Sequence, residues 1–433
     1  MNSKSIWEKD IKIKRFKSLQ KDIETGVLVI GAGITGLLCA FELQKRGISV
    51  VVVEQNRVGR GITKNTTGFV TAQHEILYQD LIKKFGKKKA KEYLDINLLA
   101  VQKYKELGER FDIDFKECPS ILYSTISDIK IIKEKEALDS LGYETEFVDS
   151  IPLDIPIKKG IKFSSQAKIH PLKLIKSLAE VLDIYENTKI IKLTNNYAYT
   201  KNNKIKFNKV IIATHFPFIN RVGLYFMKLF QRRSYVVGLP YESAEGTYCS
   251  IDPNGLYFRS YGDYLLVGGN DRDTKSKCTR SFEEDMSKLF KNKKFDYSWS
   301  NQDTVSLDGV PYIGRYSIFY PSWYVATGFN LWGLTWAMAS SIILADQIQK
   351  QETISIINPR RSMFNTQLFK NLLNTLLNLV TFKTPRCSHL GCALKYNKIE
   401  GTWECPCHGS RYTLDGALLN GPARNGKNLK NRK

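Results

Sequence analysis

Long apolar runs are missing from this sequence, and so are most of the features that mark secreted, disulfide-built or acidic proteins. The N-terminal segment MNSKSIWEKDIKIKRFKSLQKD has basic residues but no apolar core and no small-residue cleavage site, which argues against a secretory signal. Residues 316–345 carry no charge, yet Pro321, Gly328 and Gly333 divide them into pieces shorter than the ~20 residues a membrane helix needs. A buried strand, a tight turn and a buried helix are expected there instead, with no transmembrane segment. Eight Cys in 433 residues are too few for a disulfide scaffold. Acids are outnumbered, 43 Asp+Glu against 65 Lys+Arg, which leaves a net charge of +22. The cations are spread along the chain without a nucleic-acid motif, so no nucleic-acid partner is expected. The expectation is a soluble, cytoplasmic chain.

What is present suggests an ordinary globular protein of two or three domains, with 42% hydrophobic and 12% aromatic residues. The β-branched run Val27–Ile30 leads into Gly31-Ala-Gly33-Ile-Thr-Gly36, then a helical pattern, then ISVVVVE closing on Glu54. In this strand–turn–helix–strand setting the glycines carry a specific meaning. Gly31 allows the tight turn, Gly33 the close approach of a pyrophosphate, and Gly36 close helix–strand packing. The helix N-terminus would face the phosphates, and Glu54 would accept hydrogen bonds from ribose hydroxyls. NAD and FAD both remain open on this motif alone.

A second concentration of chemistry lies at the C-terminal end. Four of the eight Cys and two of the five His fall in Cys387-Ser-His389-Leu-Gly-Cys392 and Cys405-Pro-Cys407-His408-Gly-Ser410-Arg-Tyr412. Zinc is the general competitor for such a set, but zinc fingers pair Cys with Cys in one arm and His with His in the other. Here each arm mixes Cys with His, as C-x-H and C-x₂-H, which suits a two-iron cluster with Cys₂ on one iron and His₂ on the other.

Further segments decide the dinucleotide. GRGITKNTTGFVTAQH (59–74), IHPLKLIKSLAEVL (169–182), IYENTKIIKL (184–193), KVIIATHFPF (209–218), LDGVPYIGR (307–315) and WYVATGFNLWGLTWAMASSIILADQI (323–348) follow in order. Together with the opening glycines they resemble the D-amino-acid-oxidase-like family of FAD-dependent oxidoreductases, which includes glycine and sarcosine oxidases. That resemblance implies an α/β fold: a Rossmann-type, glutathione-reductase-like FAD domain with an antiparallel-sheet substrate domain. It also implies that Gly31, Gly33, Gly36 and Glu54 hold the ADP half of FAD and that Ile190 lies near the adenine. Thr63, Thr66 and Thr67 would approach pyrophosphate or flavin, and Gly333, Leu334 and Thr335 would begin a helix facing the flavin. No Cys or His stands where the family sometimes attaches flavin, so non-covalent FAD is expected.

The C-terminal boxes resemble the Rieske [2Fe-2S] family, CxHxGC…CPCHGS, and imply a small all-β cluster domain. By that resemblance Cys387, His389, Cys405 and His408 are the cluster ligands and Cys392–Cys407 a disulfide. Ser410 and Tyr412 would be hydrogen-bond donors to cluster and ligand sulfurs. Two departures are noted: the third loop reads Gly421-Pro422-Ala423-Arg424 rather than GPAP, and residues 363–382 read as an amphipathic helix where strands usually precede the cluster. The apolar stripe of that helix (Phe364, Leu368, Leu372, Leu376, Leu379) is expected to pack on the flavin domain. The divisions expected are an arm (1–26), an oxidoreductase (27–350) with a substrate domain inserted at about 70–170 and 218–300, a helical linker (351–382) and an apparently truncated Rieske domain (383–433).

FAD plus a one-electron cluster points to oxidation of a small organic substrate, an amine or amino-acid-like C–N bond, with electrons leaving singly to an outside acceptor. The alternative is an electron-transfer protein with no organic substrate of its own. In amino-acid-oxidising relatives an Arg ahead of the "DG.P.IG" segment grips the substrate carboxylate. Counting back from Asp308 places Asp303 there, an acid that suits a cationic amine or simply pairs with a lysine. Arg259 either replaces the lost arginine or is a surface or flavin-side arginine. Only His74, His170 and His215 remain outside the boxes, with no close pair for a ring-hydroxylating mononuclear iron. Cys39, Cys118, Cys249 and Cys278 read as core or surface thiols. From Asn358 onward there are 13 Lys+Arg against 3 Asp+Glu, a basic end suited to an acidic carrier such as a ferredoxin or flavodoxin.

Overall fold

Continuous Val/Ile runs, apolar on both faces, form the interior of a parallel sheet rather than a half-exposed antiparallel one. The computed structural model of the chain describes residues 5–9, 11–242, 244–274, 280–291, 293–349, 354–381 and 384–429; Cys278 and residues 351–353 and 382 of the expected linker lie outside them. Strand Ile23–Ile30 sits at the centre of the first sheet, parallel to Lys204–Ile212 on one side and Val50–Val53 on the other. Trp323–Thr327 and Ile184–Tyr185 extend it in parallel, and Tyr312–Arg315 closes one edge antiparallel. The first helix, Ile34–Lys45, packs on the closing helix, Gly333–Gln349, so both helix N-termini belong to the same layer. The uncharged stretch is thus a buried strand, a turn and a buried helix. Among the described residues no helix is long and apolar enough to cross a membrane.

The second sheet has nine strands and is antiparallel except for one pair, Thr247–Ser250 with Lys116–Ser124. Its edge is Tyr297–Ser306, hereafter the wall strand, paired with Leu229–Pro240. A third, four-stranded antiparallel sheet (Lys395–Asn397, Thr402–Glu404, Arg411–Tyr412, Leu418–Asn420) carries the two Cys/His loops. Its small core holds Cys387, Cys392, Leu394, Cys405, Cys407 and Tyr412.

The third sheet is bound to the second by charge. Arg233 and Glu400 are almost wholly buried, and Arg233 Nη1 lies 2.9 Å from Glu400 Oε1. Arg233 also pairs with Glu404, Arg411 and Tyr235 bind Glu400, and Arg272 Nη2 reaches Glu400 at 3.2 Å. Burial would push the Glu400 carboxyl up, but Arg233 and Arg411 outweigh it and hold it down at about 2. A second tie uses the residue that departs from GPAP. Arg424 Nη2 donates to Ile190 O at 2.9 Å and its guanidinium lies 5.1 Å from the Phe218 ring centre.

Helix Thr366–Val380 packs on the oxidoreductase through the first part of its apolar stripe, where Leu368 and Leu372 meet Phe230, Leu307, Met227 and Val305. Only Leu368 of that stripe is fully buried, while Phe369, Leu373, Leu376, Leu377 and Val380 are exposed. The asparagine face is turned to the cluster loops, with Asn371 and Asn378 buried. Asn374 Nδ2 donates to Pro406 O (3.0 Å), and Asn378 O accepts from Ala393 N (2.9 Å).

Removing one partner of a buried ion pair strands the other without solvent, a loss of about 3–5 kcal/mol. Glu400→Gln is therefore expected to loosen the third sheet from the second. The measurement is the thermal transition together with protease cleavage around residues 381–386, which should appear in the variant and not in the unchanged chain.

Candidate active site and cluster-binding loops

At the nucleotide turn, Gly31 has φ +109°, and a Cβ there would lie 2.6 Å from Ala213 O. A Cβ on Gly36 would fall 1.8 Å from Gly31 O, so the first helix can approach the turn only with glycine at both positions. Glu54 at the end of the next strand accepts from Ala32 N (3.0 Å) and Asn56 N (2.9 Å). Burial raises its pKa despite those bonds. Thr63 Oγ1 accepts from Ile34 N at 3.1 Å, at the start of the first helix and beside Gly33. These residues fit a dinucleotide: a glycine cradle that side chains would fill, a helix N-terminus and an acid at the strand end. Ile190 is buried with Val51 and Val53 in the core on one face of the parallel sheet.

A cavity lies between the second sheet and the start of the closing helix. Thr66, Thr67, Trp332, Gly333 and Leu334 form one wall, so the loop and helix start singled out from sequence meet there. Thr335 lies just behind, with Oγ1 donating to Thr71 O at 2.9 Å. The opposite wall presents Glu75, Asp271, Asn301, Asp303 and Tyr257. Among the described residues Asp303 has no lysine partner; its Oδ2 accepts from Asn301 Nδ2 at 2.7 Å. Burial pushes its pKa up to about 7, against the Asn301 hydrogen bond and Arg232. Asp271 also rises to about 7, through burial and then the nearby Glu75. Burial raises Glu75 as well, opposed by Arg232.

Arg259 does not reach this cavity. It is buried, with Nη1 donating to Thr67 O (2.8 Å), Gly68 O (2.9 Å) and Ile169 O (3.0 Å), so it braces the flavin-side loop rather than awaiting a carboxylate. His170 caps the helix Pro171–Glu180 by accepting from Lys173 N. His215 accepts from Thr304 N, and burial keeps it neutral with a pKa lowered to about 4. Glu75, Asp271 and Asn301 were not singled out from sequence; they stand on a loop and two different strands, with no shared motif to link them.

The cluster loops face the same wall strand from its other side. Gln302 Nε2 donates to Gly409 O at 2.7 Å, and its Oε1 accepts from Arg233 Nη2 at 2.7 Å. Gly409 has φ +86°, and a Cβ there would meet Gln231 at 2.4 Å. The His389 and His408 rings stand 4.9 Å apart and perpendicular, with Phe216 beside one and Phe226 beside the other. Both ring nitrogens of His389 are buried with no hydrogen-bond partner among the described residues. Cys405 lies close enough to Cys387 to push its thiol pKa up, with burial adding to the rise. A soft-thiolate and imidazole donor set with orphaned ring nitrogens fits an iron–sulfur cluster held by Cys387, Cys405, His389 and His408. Cys392 and Cys407, the pair that the resemblance joins as a disulfide, are both buried, and their sulfurs and that of Cys405 lie within 4.8 Å of one another. Tyr412 Oη lies 3.3 Å from Cys387 Sγ, and Ser410 Oγ accepts from Ala423 N at 3.0 Å.

With this geometry in view, comparison with known proteins is informative. The FAD dependent oxidoreductase family matches residues 26–347, and the Rieske [2Fe-2S] domain matches residues 378–431. YhfW of Bacillus subtilis (strain 168), named for a Rieske 2Fe-2S iron–sulfur centre, is 31% identical over 487 positions, 97% of this chain and 96% of its own. Gamma-glutamylputrescine oxidoreductase of Escherichia coli (strain K12) is 23% identical over 376 positions, 76% of this chain and 86% of its own. Among solved structures, glycine oxidase from Geobacillus kaustophilus superposes with a TM-score of 0.66 at 17% identity, covering 79% of this chain and 100% of that one.

Two outcomes follow from the local chemistry. Asp303 ionises at 3.8 in the unfolded chain and about 7 in the folded one, so its contribution lowers stability as pH rises from about 4 to 7 and is constant above. Asp303→Asn is expected to raise Tm at pH 8 by about 2 °C or more and to leave it nearly unchanged at pH 4. Tyr412→Phe removes one hydrogen bond of about 1 kcal/mol from the cluster side, and should lower the cluster's midpoint potential by about 40 mV in a redox titration.

Proposed function

The chain belongs to the FAD dependent oxidoreductase family and carries a Rieske [2Fe-2S] domain after it, and from that premise we propose that it oxidises a C–N bond of a small amine and passes the electrons out through the cluster domain. FAD supplies a hydride acceptor and the [2Fe-2S] cluster a one-electron outlet, so one substrate oxidation matches two single-electron departures.

The observation that carries this reading is the wall strand. Successive residues of a strand point to opposite faces. Asn301 and Asp303 line the cavity, while Gln302 between them holds the Gly409 carbonyl of the second cluster loop. One strand therefore separates substrate space from cluster loop, with no intervening linker to cross.

The rest of the site supports an amine. An ammonium must lose its proton before the neighbouring carbon can give up a hydride, and a carboxylate with a pKa near 7 is suited to take it. Asp271 Oδ1, without a hydrogen-bond partner among the described residues, is the oxygen available for that proton. The C–N bond then becomes C=N, the hydride carries two electrons away and the proton stays on the carboxylate until solvent removes it. The name of the Escherichia coli relative, an oxidoreductase of an amine, agrees with this chemistry. A basic cluster end, 13 Lys+Arg against 3 Asp+Glu from Asn358 onward, suits an acidic one-electron carrier such as a ferredoxin or flavodoxin as the acceptor.

Anaerobic titration of the purified holoprotein tests the reading. An amine is expected to bleach the flavin bands and then to reduce the Rieske signal seen by electron paramagnetic resonance. Reduction only by NAD(P)H or a carrier protein, with every amine and amino acid inert, would make the chain an electron-transfer protein instead.

A further inference from the structure

We propose that the cavity takes an organic dication, a diamine or polyamine without a carboxylate of its own. The inference rests on the cavity being an amine site and narrows which amine.

Charge counting comes first. Glu75, Asp271 and Asp303 line one cavity, and among the described residues no Lys, Arg or His lines it. Among the described residues none of the three is in an ion pair, and the cation that acts on all of them is Arg232, which is itself 3.7 Å from Asp273. Each ammonium brought to this wall favours the ionised form of the carboxyl it meets, so a ligand with two positive centres engages more of the set than one with a single ammonium.

A second observation concerns donors and acceptors. Asn301 is 8% exposed, gives its Nδ2 to Asp303, and its buried Oδ1 has no hydrogen-bond partner. Asp271 Oδ1 is in the same condition. A buried acceptor without a donor costs about 1–3 kcal/mol, and these two acceptors in one cavity call for N–H groups. An amino-acid carboxylate would bring further acceptors into a site that has no cation for them, and Arg259 is already committed to three backbone carbonyls. Phe69, Tyr257 and Trp332 supply apolar and aromatic surface on which a methylene chain and its charged ends can lie.

The test uses flavin-loaded protein held anaerobic and compares 1,4-diaminobutane, spermidine, n-butylamine, glycine and proline, read as flavin spectral perturbation and as bleaching. The expected result is diamine and triamine affinity at least about tenfold above butylamine, with glycine and proline inert. Glu75→Gln and Asp271→Asn are each expected to cut the diamine affinity about tenfold and the butylamine affinity less, the retained flavin spectrum reporting a folded protein. Butylamine or an amino acid acting as well as or better than the diamine would overturn the dication and leave the amine reading standing. A holoprotein that no amine perturbs or reduces would remove both.

Discussion

Glu400 is a carboxylate with almost no solvent, held by three arginines, and the arrangement of the molecule turns on it. It belongs to the cluster sheet, whereas Arg233 and Arg272 belong to the neighbouring large sheet. Arg411 comes from its own sheet. Surface ion pairs of this kind contribute little, but a buried one is an all-or-none commitment, since neither partner can be left behind without water. Arg233 also reaches Gln302, so the same guanidinium that binds the cluster sheet orients the residue touching the cluster loop.

From that joint the function follows by strand geometry. The wall strand shows acids and an amide to the cavity and a glutamine to the cluster loop, because its side chains alternate with period 2. A one-residue slip in its pairing with Leu229–Pro240 would exchange the two sets, placing Gln302 in the cavity and Asp303 against Gly409. Register there is held by a long run of pairs, from Leu229 opposite Ser306 to Gly238 opposite Tyr297. Arg424, at the position where GPAP was expected, adds a second fixed point on the Ile190 carbonyl.

Much of the site was legible along the chain wherever chemistry is packed into consecutive residues. Gly31 to Gly36 reads as a phosphate turn because no side chain is tolerated at the crossing of turn and helix. The thiol and imidazole boxes read as a cluster for the same reason, each being one tight loop. Arg259 was ambiguous because a strand arginine says nothing of what lies beneath it; here three carbonyls do. The stripe of helix Thr366–Val380 was legible only in part: Leu368 and Leu372 are covered, whereas Phe364, Leu376 and Leu379 are exposed. One asparagine amide and one backbone carbonyl of the helix tie it to the cluster loops.

The sequence by itself determined the two cofactor classes, the order of domains and the family, since each depends on short local motifs. Tertiary structure alone decided that Glu75, Asp271 and Asp303 share one cavity, that the strand bearing Asp303 also carries the contact to the cluster loop, and that only the first part of the linker helix's apolar stripe is covered. The reason is physical: covalent neighbours set turns and ligand loops, whereas like charges drawn from a loop and two strands meet only when sheets pack. Only then does their shared burial give them the raised pKa values and the appetite for cations on which the proposed chemistry rests.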